Sequence, residues 1–217
     1  MVGRPLRAGK AVWVARHGNR ADFVNPAWHR GAQRPHDPEL SPDGVEQARE
    51  LGRRLRGAGI RHIFASPFLR TVETASYVAD ALDLSVKVER GVCEWLNPEW
   101  FTKASGWLPV PELARRFPRV DAGFQSLVNP AFPERDERAD CWLRACRAAR
   151  LLAGVFAEDL LIVSHGAPMM GIVHGLLGES PEPAYGLCSF VKLVWNGRGW
   201  ESAGNGNGGD ARQGTTT

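Results

Sequence analysis

Short apolar runs alternate along the chain with longer segments in which apolar residues recur every three or four positions. Short runs are typical of buried strands, and the wider spacing is typical of helices with one buried face. On the segment 40–59, for example, Val45, Ala48 and Leu51 fall on one helical face. The pattern predicts strands at 10–16, 61–66, 85–90, 159–165 and 190–195, and helices at 40–59, 69–82, 137–157 and 168–178.

Capping residues support the limits of the first long helix. Ser41 is a candidate N-cap, and Pro42 suits the first helical position because its fixed φ angle matches the helix. Gly57 or Gly59 is expected to end the helix. The segment 91–135, which is rich in Trp and Pro, shows neither period, and we expect it to be an irregular insertion that shapes a pocket.

Strands that alternate with helices of this length predict an α/β fold with a mostly parallel sheet and helices on both faces. We expect one domain over residues 10–200, a flexible leader at 1–9 and a disordered tail at 201–217, where Gly, Asn and Thr dominate. In parallel sheets, ligands bind beyond the carboxyl ends of the strands. Three such ends carry polar residues, namely Arg16-His17-Gly18, Ser66-Pro67 with Arg70, and Ser164-His165-Gly166.

Two histidines and two arginines at neighbouring strand ends favour an anion with delocalised charge. Phosphate fits best, because a guanidinium binds its oxygens in bidentate fashion. Phosphoryl transfer needs positive groups around the equatorial oxygens and an in-line nucleophile, and a neutral imidazole can be that nucleophile. The leaving oxygen also needs a proton. Glu94, which follows the third predicted strand, is the candidate acid.

Composition excludes several other classes of function. The chain has 217 residues, 43% of them hydrophobic, and a net charge of +3, and it contains no lysine-rich run typical of a nucleic-acid footprint. No apolar stretch is long enough to span a membrane, and no signal-type core is present. The four cysteines show neither C-x-x-C nor zinc spacing, so we interpret them as reduced thiols. A cytoplasmic protein without nucleic-acid or membrane partners is expected.

Three motifs in order, "ARHGNR", "SPFLRTVETA" and "VSHGAP", resemble the histidine phosphatase superfamily, which is also called phosphoglycerate mutase-like. The resemblance covers roughly residues 10–200 and implies that family's fold. "CEW" and "NPAFPE" are similar to one branch, that of the phosphatase domain of the ubiquitin-associated and SH3-containing suppressors of T-cell signalling and of the insect ecdysteroid-phosphate phosphatases.

The resemblance implies a role for each site residue. His17 would be the nucleophile that becomes phosphohistidine, and Glu94 would be the general acid. Arg16, Arg70 and His165 would hold the phosphoryl group. Arg20 resembles an additional phosphate-pocket arginine of that branch, and Asn19 is expected beside it in the substrate site.

The expected activity is hydrolysis of a small-molecule or peptide phosphomonoester, with no metal or organic cofactor. Two alternatives stay open at this point. One is a phosphoglycerate mutase-type isomerase, although "NRADFVNPAW" after R-H-G differs from the stretch found in glycolytic mutases. The other is a non-catalytic protein that binds a phosphorylated ligand. A homodimer would suit the family, and the sequence does not indicate the physiological substrate.

Overall fold

The computed structural model describes residues 6–102, 106–178 and 185–206, and these residues form one six-stranded sheet with helices on its two faces. The strands are Ala11–Arg16 (β1), His62–Ala65 (β2), Val86–Val88 (β3), Leu160–Ser164 (β4), Phe190–Trp195 (β5) and Trp200–Gly206 (β6). The α-helices are Ala21–Val24 (α1), Pro42–Arg54 (α2), Leu69–Leu82 (α3), Val110–Arg116 (α4), Leu143–Val155 (α5) and Gly166–Leu177 (α6).

The strand order is β3-β2-β4-β1-β5-β6. The first four strands in this order run parallel to one another, whereas β5 is antiparallel to β1 and β6 is antiparallel to β5. The predicted α/β class with a mostly parallel sheet is therefore confirmed. The parallel strands β1 and β4 are paired so that Arg16 lies beside Ser164 at their carboxyl ends.

Alternating side chains of β1 supply two separate hydrophobic cores. Trp13 packs with apolar residues of α2 and α3 on one face of the sheet, while Val12 and Val14 pack with residues of α5 and α6 on the other. A strand that is apolar on both sides must be covered on both sides. The helices are thus distributed over both faces, as predicted.

The predicted helix limits hold at the start of α2 and shift at its end. The Ser41 hydroxyl accepts a hydrogen bond from the Gly44 N–H at 3.3 Å, and Pro42 is the first helical residue. The helix ends at Arg54, before Gly57 and Gly59, which both adopt positive φ angles. The segment predicted as a helix at 137–157 begins with a π-helical turn at Glu137–Trp142 and continues as α5.

Three predictions about irregular segments need correction. The tail prediction is wrong for residues 201–206, which pair with β5 as strand β6, and 207–217 lie outside the described residues. The strand at 190–195 is consequently not the last one. The leader predicted at 1–9 is too long, since the Gly9 N–H donates to the Trp195 carbonyl at 2.8 Å, and residues 1–5 lie outside the described residues. The region 91–135 is irregular over most of its described length, but it includes helix α4.

Within the described part of the chain, we find no helix with the length and apolar character that a membrane crossing requires.

Candidate active site

His17 lies directly after β1 and is almost fully buried. Its Nδ1 is 2.7 Å from the carbonyl oxygen of Gly18. Burial and the nearby Arg70 guanidinium hold the pKa of His17 well below its ordinary value, so the ring is neutral. Because a carbonyl oxygen can only accept, Nδ1 carries the proton, and Nε2 keeps its lone pair. This is the tautomer that a nucleophile attacking through Nε2 requires.

His165 follows β4, caps the start of α6, and lies against His17 with ring centroids 5.2 Å apart. Its Nε2 is 2.7 Å from the Ser66 hydroxyl, which itself accepts from the Phe68 N–H at 3.4 Å. Burial and Arg70 lower the pKa of His165 well below its usual range. Because a lone pair on Nδ1 would face the Glu94 carboxylate at 3.3 Å, we assign the ring proton to Nδ1, and the Ser66 hydroxyl then donates to Nε2.

Arg70 is the second residue of α3, and its side chain is buried against the ring of Phe68. One amino group is 3.3 Å from a Glu94 oxygen, but Nε and Nη1 have no hydrogen-bond partner among the described residues. Burial lowers the pKa of Arg70 to about 10, against the opposing effect of Glu94, so the guanidinium stays charged at neutral pH.

Arg16, the last residue of β1, adds a second guanidinium beside the start of α6. Its Nη1 donates to the Tyr185 carbonyl at 2.7 Å, which fixes one side of the fork. Its Nε is buried, and no described residue accepts from it. Burial of a charged donor without an acceptor is costly. Together with Arg70, this leaves three buried guanidinium nitrogens available to an anion.

Glu94 reaches the same cluster from the segment that follows β3. Its Oε2 lies 3.3 Å from both Arg70 Nη2 and His165 Nδ1, although the contact with the histidine falls short of hydrogen-bond geometry. Its Oε1 accepts from the backbone N–H of Trp95 at 3.1 Å. The Glu94 side chain is 17% exposed, so it lies on the solvent-facing side of the cluster.

Arg20 and Asn19 form contacts that the sequence did not indicate. Both ends of the Arg20 fork donate to the carboxylate of Asp22, at 2.9 and 2.5 Å. Its charge is nevertheless close enough to lower the pKa values of His17 and His165, as a minor contribution beside burial and Arg70. The Asn19 amide donates to Asp43 at 2.8 Å, which ties this loop to α2. Substrate binding by Arg20 and Asn19 stays a prediction.

A close backbone contact holds the loop after β1 against the start of α2. A Cβ atom on Gly44 would lie 2.2 Å from the Asn19 carbonyl oxygen, and a Cβ on Gly18 would lie 2.6 Å from the Gly44 oxygen. Only glycine permits this approach at both positions. The glycine of the R-H-G motif therefore brings the His17 loop and helix α2 together.

Sequence reasoning missed the buried pair Arg144 and Glu134, whose side chains join at 2.5 Å behind the Glu94 segment. The available signal was the position of Arg144 on the apolar face of α5, one turn before Ala148. A charged residue at such a position needs a partner. Among the described residues, no group of three or more His, Cys, Asp or Glu side chains is arranged to hold a metal ion.

The described geometry brings five of the predicted side chains together: Arg16, His17, Arg70, Glu94 and His165. Two neutral imidazoles, two guanidiniums and one carboxyl group therefore lie together at the carboxyl edge of the sheet. The fold and this cluster define an α/β protein with two arginines and two histidines at the carboxyl edge of its sheet, the edge where ligands bind in such folds. The chain belongs to the histidine phosphatase superfamily (branch 1), which it matches over residues 12–207.

Similar proteins agree with this assignment. The human Ubiquitin-associated and SH3 domain-containing protein A is 28% identical in an alignment that covers 86% of this chain and 34% of that protein. The 2,3-bisphosphoglycerate-dependent phosphoglycerate mutase of Nautilia profundicola is 28% identical over 196 residues, covering 73% of this chain and 83% of the mutase. Among solved structures, the ecdysone phosphate phosphatase of Bombyx mori in complex with tungstate has a TM-score of 0.75 at 19% identity, covering 96% of both chains.

The family and branch that the motifs indicated are thus confirmed. The chain spans about a third of the length of the human relative. The similarity to the insect phosphatase, at 19% identity, concerns the fold alone.

Proposed function

We propose that this protein is a phosphatase that hydrolyses phosphomonoesters through a phosphohistidine intermediate on His17. The proposal rests on one observation: two neutral, buried histidines lie beside Arg16 and Arg70. The Nε of Arg16 and the Nε and Nη1 of Arg70 have no hydrogen-bond partner among the described residues. Unsatisfied charged donors in a buried site are unfavourable, and a phosphoryl dianion supplies the missing acceptors.

In the first step, Nε2 of His17 attacks phosphorus opposite the ester oxygen. The new N–P bond forms as the P–O bond breaks, and protonated Glu94 donates its proton to the departing oxygen. Glu94 suits this role because its Oε2 sits within 3.3 Å of both Arg70 and His165, the groups that would hold the phosphoryl oxygens. The alcohol leaves, and Glu94 is then a carboxylate.

In the second step, the Glu94 carboxylate takes a proton from water, and the water oxygen attacks the phosphohistidine. The N–P bond breaks, the electron pair returns to Nε2 of His17, and inorganic phosphate is released. Arg16 and Arg70 stabilise the equatorial oxygens in both steps, and the Nδ1–H of His165 donates to one of them. Arg20 contributes charge from the edge of the site.

The nucleophile is tested with His17→Ala in a phosphate-release assay on nitrophenyl phosphate. The variant should lose essentially all turnover, and brief incubation of the wild type with a labelled ester should leave acid-labile phosphate on the protein. His62→Ala is the matched control, because His62 lies at the opposite end of its strand from the site. Substantial turnover by His17→Ala would refute the mechanism.

The acid is tested with Glu94→Gln on two esters of the same shape, phenyl and nitrophenyl phosphate. Phenoxide needs a proton more than nitrophenoxide does, so the variant should slow phenyl phosphate by about 100-fold more. Equal slowing of both esters would remove Glu94 from the acid role.

A mutase is the second candidate function, favoured by the similarity to a phosphoglycerate mutase over 83% of that enzyme. A mutase must retain the detached product and return the phosphoryl group to it, whereas a phosphatase passes the group to water. Measuring 3-phosphoglycerate interconversion beside phosphate release separates the two activities. Binding of a phosphate analogue without turnover of any ester would instead indicate a non-catalytic binding protein.

We propose a small-molecule or peptide phosphomonoester as the substrate, and a panel of such esters would identify the class. A cytoplasmic location is supported by the four cysteines, which are all free and buried, as expected in a reducing compartment. The homodimer suggested by the family is tested by light scattering.

A further inference from the structure

The segment that carries Glu94 is held from behind by a buried ion pair between Arg144 of α5 and Glu134. Both side chains are less than a tenth exposed, and Nε of Arg144 donates to Oε1 of Glu134 at 2.5 Å while Nη2 donates to Oε2 at 2.9 Å. This is the bidentate geometry in which arginine and carboxylate bind most strongly. Nothing in the chemistry proposed above uses either residue.

Arg144 also directs three donors at the backbone on both sides of the Glu94 side chain. Its Nη1 donates to the carbonyls of Gly91 at 2.8 Å and Cys93 at 3.0 Å, and its Nη2 donates to the carbonyl of Glu94 itself at 3.1 Å. The five N–H groups of the guanidinium are thereby matched by five oxygens. Three of those oxygens belong to the segment that presents the acid.

Glu134 holds the same segment on the other side of Glu94. Its Oε2 accepts from the Leu96 N–H at 2.9 Å, its carbonyl accepts from the indole of Trp95 at 3.1 Å, and its own N–H donates to the Leu96 carbonyl at 3.1 Å. Backbone groups at four positions of the segment 91–96 are therefore bonded to Arg144 or Glu134, and these are Gly91, Cys93, Glu94 and Leu96. The Glu94 carboxyl group projects from the middle of this segment toward Arg70 and His165.

We propose that Arg144 and Glu134 are positioning residues for the general acid, an inference that rests on the function proposed above. A buried ion pair is weak as a source of stability, because desolvation of the two charges offsets their attraction. The role of the Arg144–Glu134 pair is to fix geometry, because a planar guanidinium can bind three carbonyls at fixed angles. This keeps Glu94 at hydrogen-bond distance from a leaving oxygen. An error of about 1 Å at such a group costs roughly 100-fold in rate.

The test compares Arg144→Gln with wild type on phenyl and nitrophenyl phosphate. If Arg144 positions the acid, kcat on phenyl phosphate should fall at least about tenfold more than kcat on nitrophenyl phosphate, with KM for both esters nearly unchanged. Arg147→Gln, an exposed arginine one turn along the same helix, is the matched control and should leave both rates unchanged.

A purely structural role predicts a different result, and equal loss on both esters would overturn the proposal. If Arg144→Gln does not fold, the double variant Glu134→Leu with Arg144→Met decides the question in the same assay. Removing both charges together is often neutral for folding. A folded double variant with the wild-type ratio of rates would equally overturn the proposal.

The proposed function fails separately from this inference. It fails if wild type turns over neither ester, or if Glu94→Gln slows both equally. The inference alone fails if Glu94→Gln discriminates between the esters and Arg144→Gln does not.

Discussion

Acid should destabilise this protein over a defined pH range, because His17 and His165 are held neutral in the folded state. Their folded pKa values lie well below 6.5, the value of an unperturbed histidine, since burial and Arg70 disfavour the imidazolium. The unfolded chain therefore binds more protons than the folded one below about pH 6.5. The free energy of unfolding must fall as the pH drops through this range.

The size of the effect follows from linkage. Each histidine that stays neutral in the folded state costs about 1 kcal/mol between about pH 7 and about pH 5.5, so the pair costs about 2–3 kcal/mol. Asp37 opposes this trend, because burial raises its folded pKa to about 6 and its protonation stabilises the fold by about 1 kcal/mol over the same interval. Burial also raises the pKa of Glu73, which acts in the same direction as Asp37. The net loss should be about 1–2 kcal/mol.

The assay is urea unfolding at several pH values in buffers without phosphate or sulfate, because a bound anion would raise both histidine pKa values. His165→Gln keeps a nitrogen near the position of Nε2 but cannot be charged, so it should lower the acid-induced loss by about 1 kcal/mol. His62→Gln, a partly exposed histidine at the far end of β2, is the control. An identical pH dependence in wild type and His165→Gln would refute the reasoning.

Three further predictions concern the surroundings of the site. Gly44→Ala should destabilise the protein by roughly 1–3 kcal/mol and lower kcat, because the new Cβ would lie 2.2 Å from the Asn19 carbonyl oxygen; urea unfolding measures the first effect. Asp37→Asn should raise the free energy of unfolding at neutral pH by about 1–2 kcal/mol, since the folded state no longer buries a carboxylate. Asp22→Asn should lower KM for a phosphomonoester about threefold at low salt, because the negative charge that pairs with Arg20 is removed.

Each of these predictions has its own control. Gly154→Ala, where a Cβ has open space in α5, should be neutral or stabilising, and equal destabilisation by both alanines would contradict the clash. The gain from Asp37→Asn should disappear near pH 4, where the aspartic acid is protonated in the fold. For Asp22→Asn, a KM that rises or stays constant across ionic strengths would argue against a role for Arg20 in binding the anion.

The local pattern of the chain was sufficient to predict the buried elements. Helix α3 and strand β5 begin and end where the apolar period predicts, because their packing faces depend on side chains alone. Strand β6 was missed because its sequence, WESAGNG, has no apolar alternation. It is an edge strand that pairs with β5 through backbone hydrogen bonds, and these do not depend on side-chain pattern.

The candidate site, too, has some features that the sequence predicts and others that depend on how the elements pack. The sequence by itself determined the residue types at the strand ends and, through the parallel α/β pattern, the edge at which they would meet. Only the tertiary structure decided which polar side-chain atoms of the site have a hydrogen-bond partner within the described part of the protein. It pairs Arg20 with Asp22 and Asn19 with Asp43, and it leaves the inner nitrogens of Arg70 without a partner among the described residues.

Tertiary structure also decided how the acid is held. Arg144 and Glu134 are ten residues apart in sequence and about forty to fifty residues from the segment they bind. Sequence pattern reports on burial within one element, because neighbouring side chains share a helix face or a strand face. The partner of a buried charge lies on another element, and its identity follows only from how the elements pack.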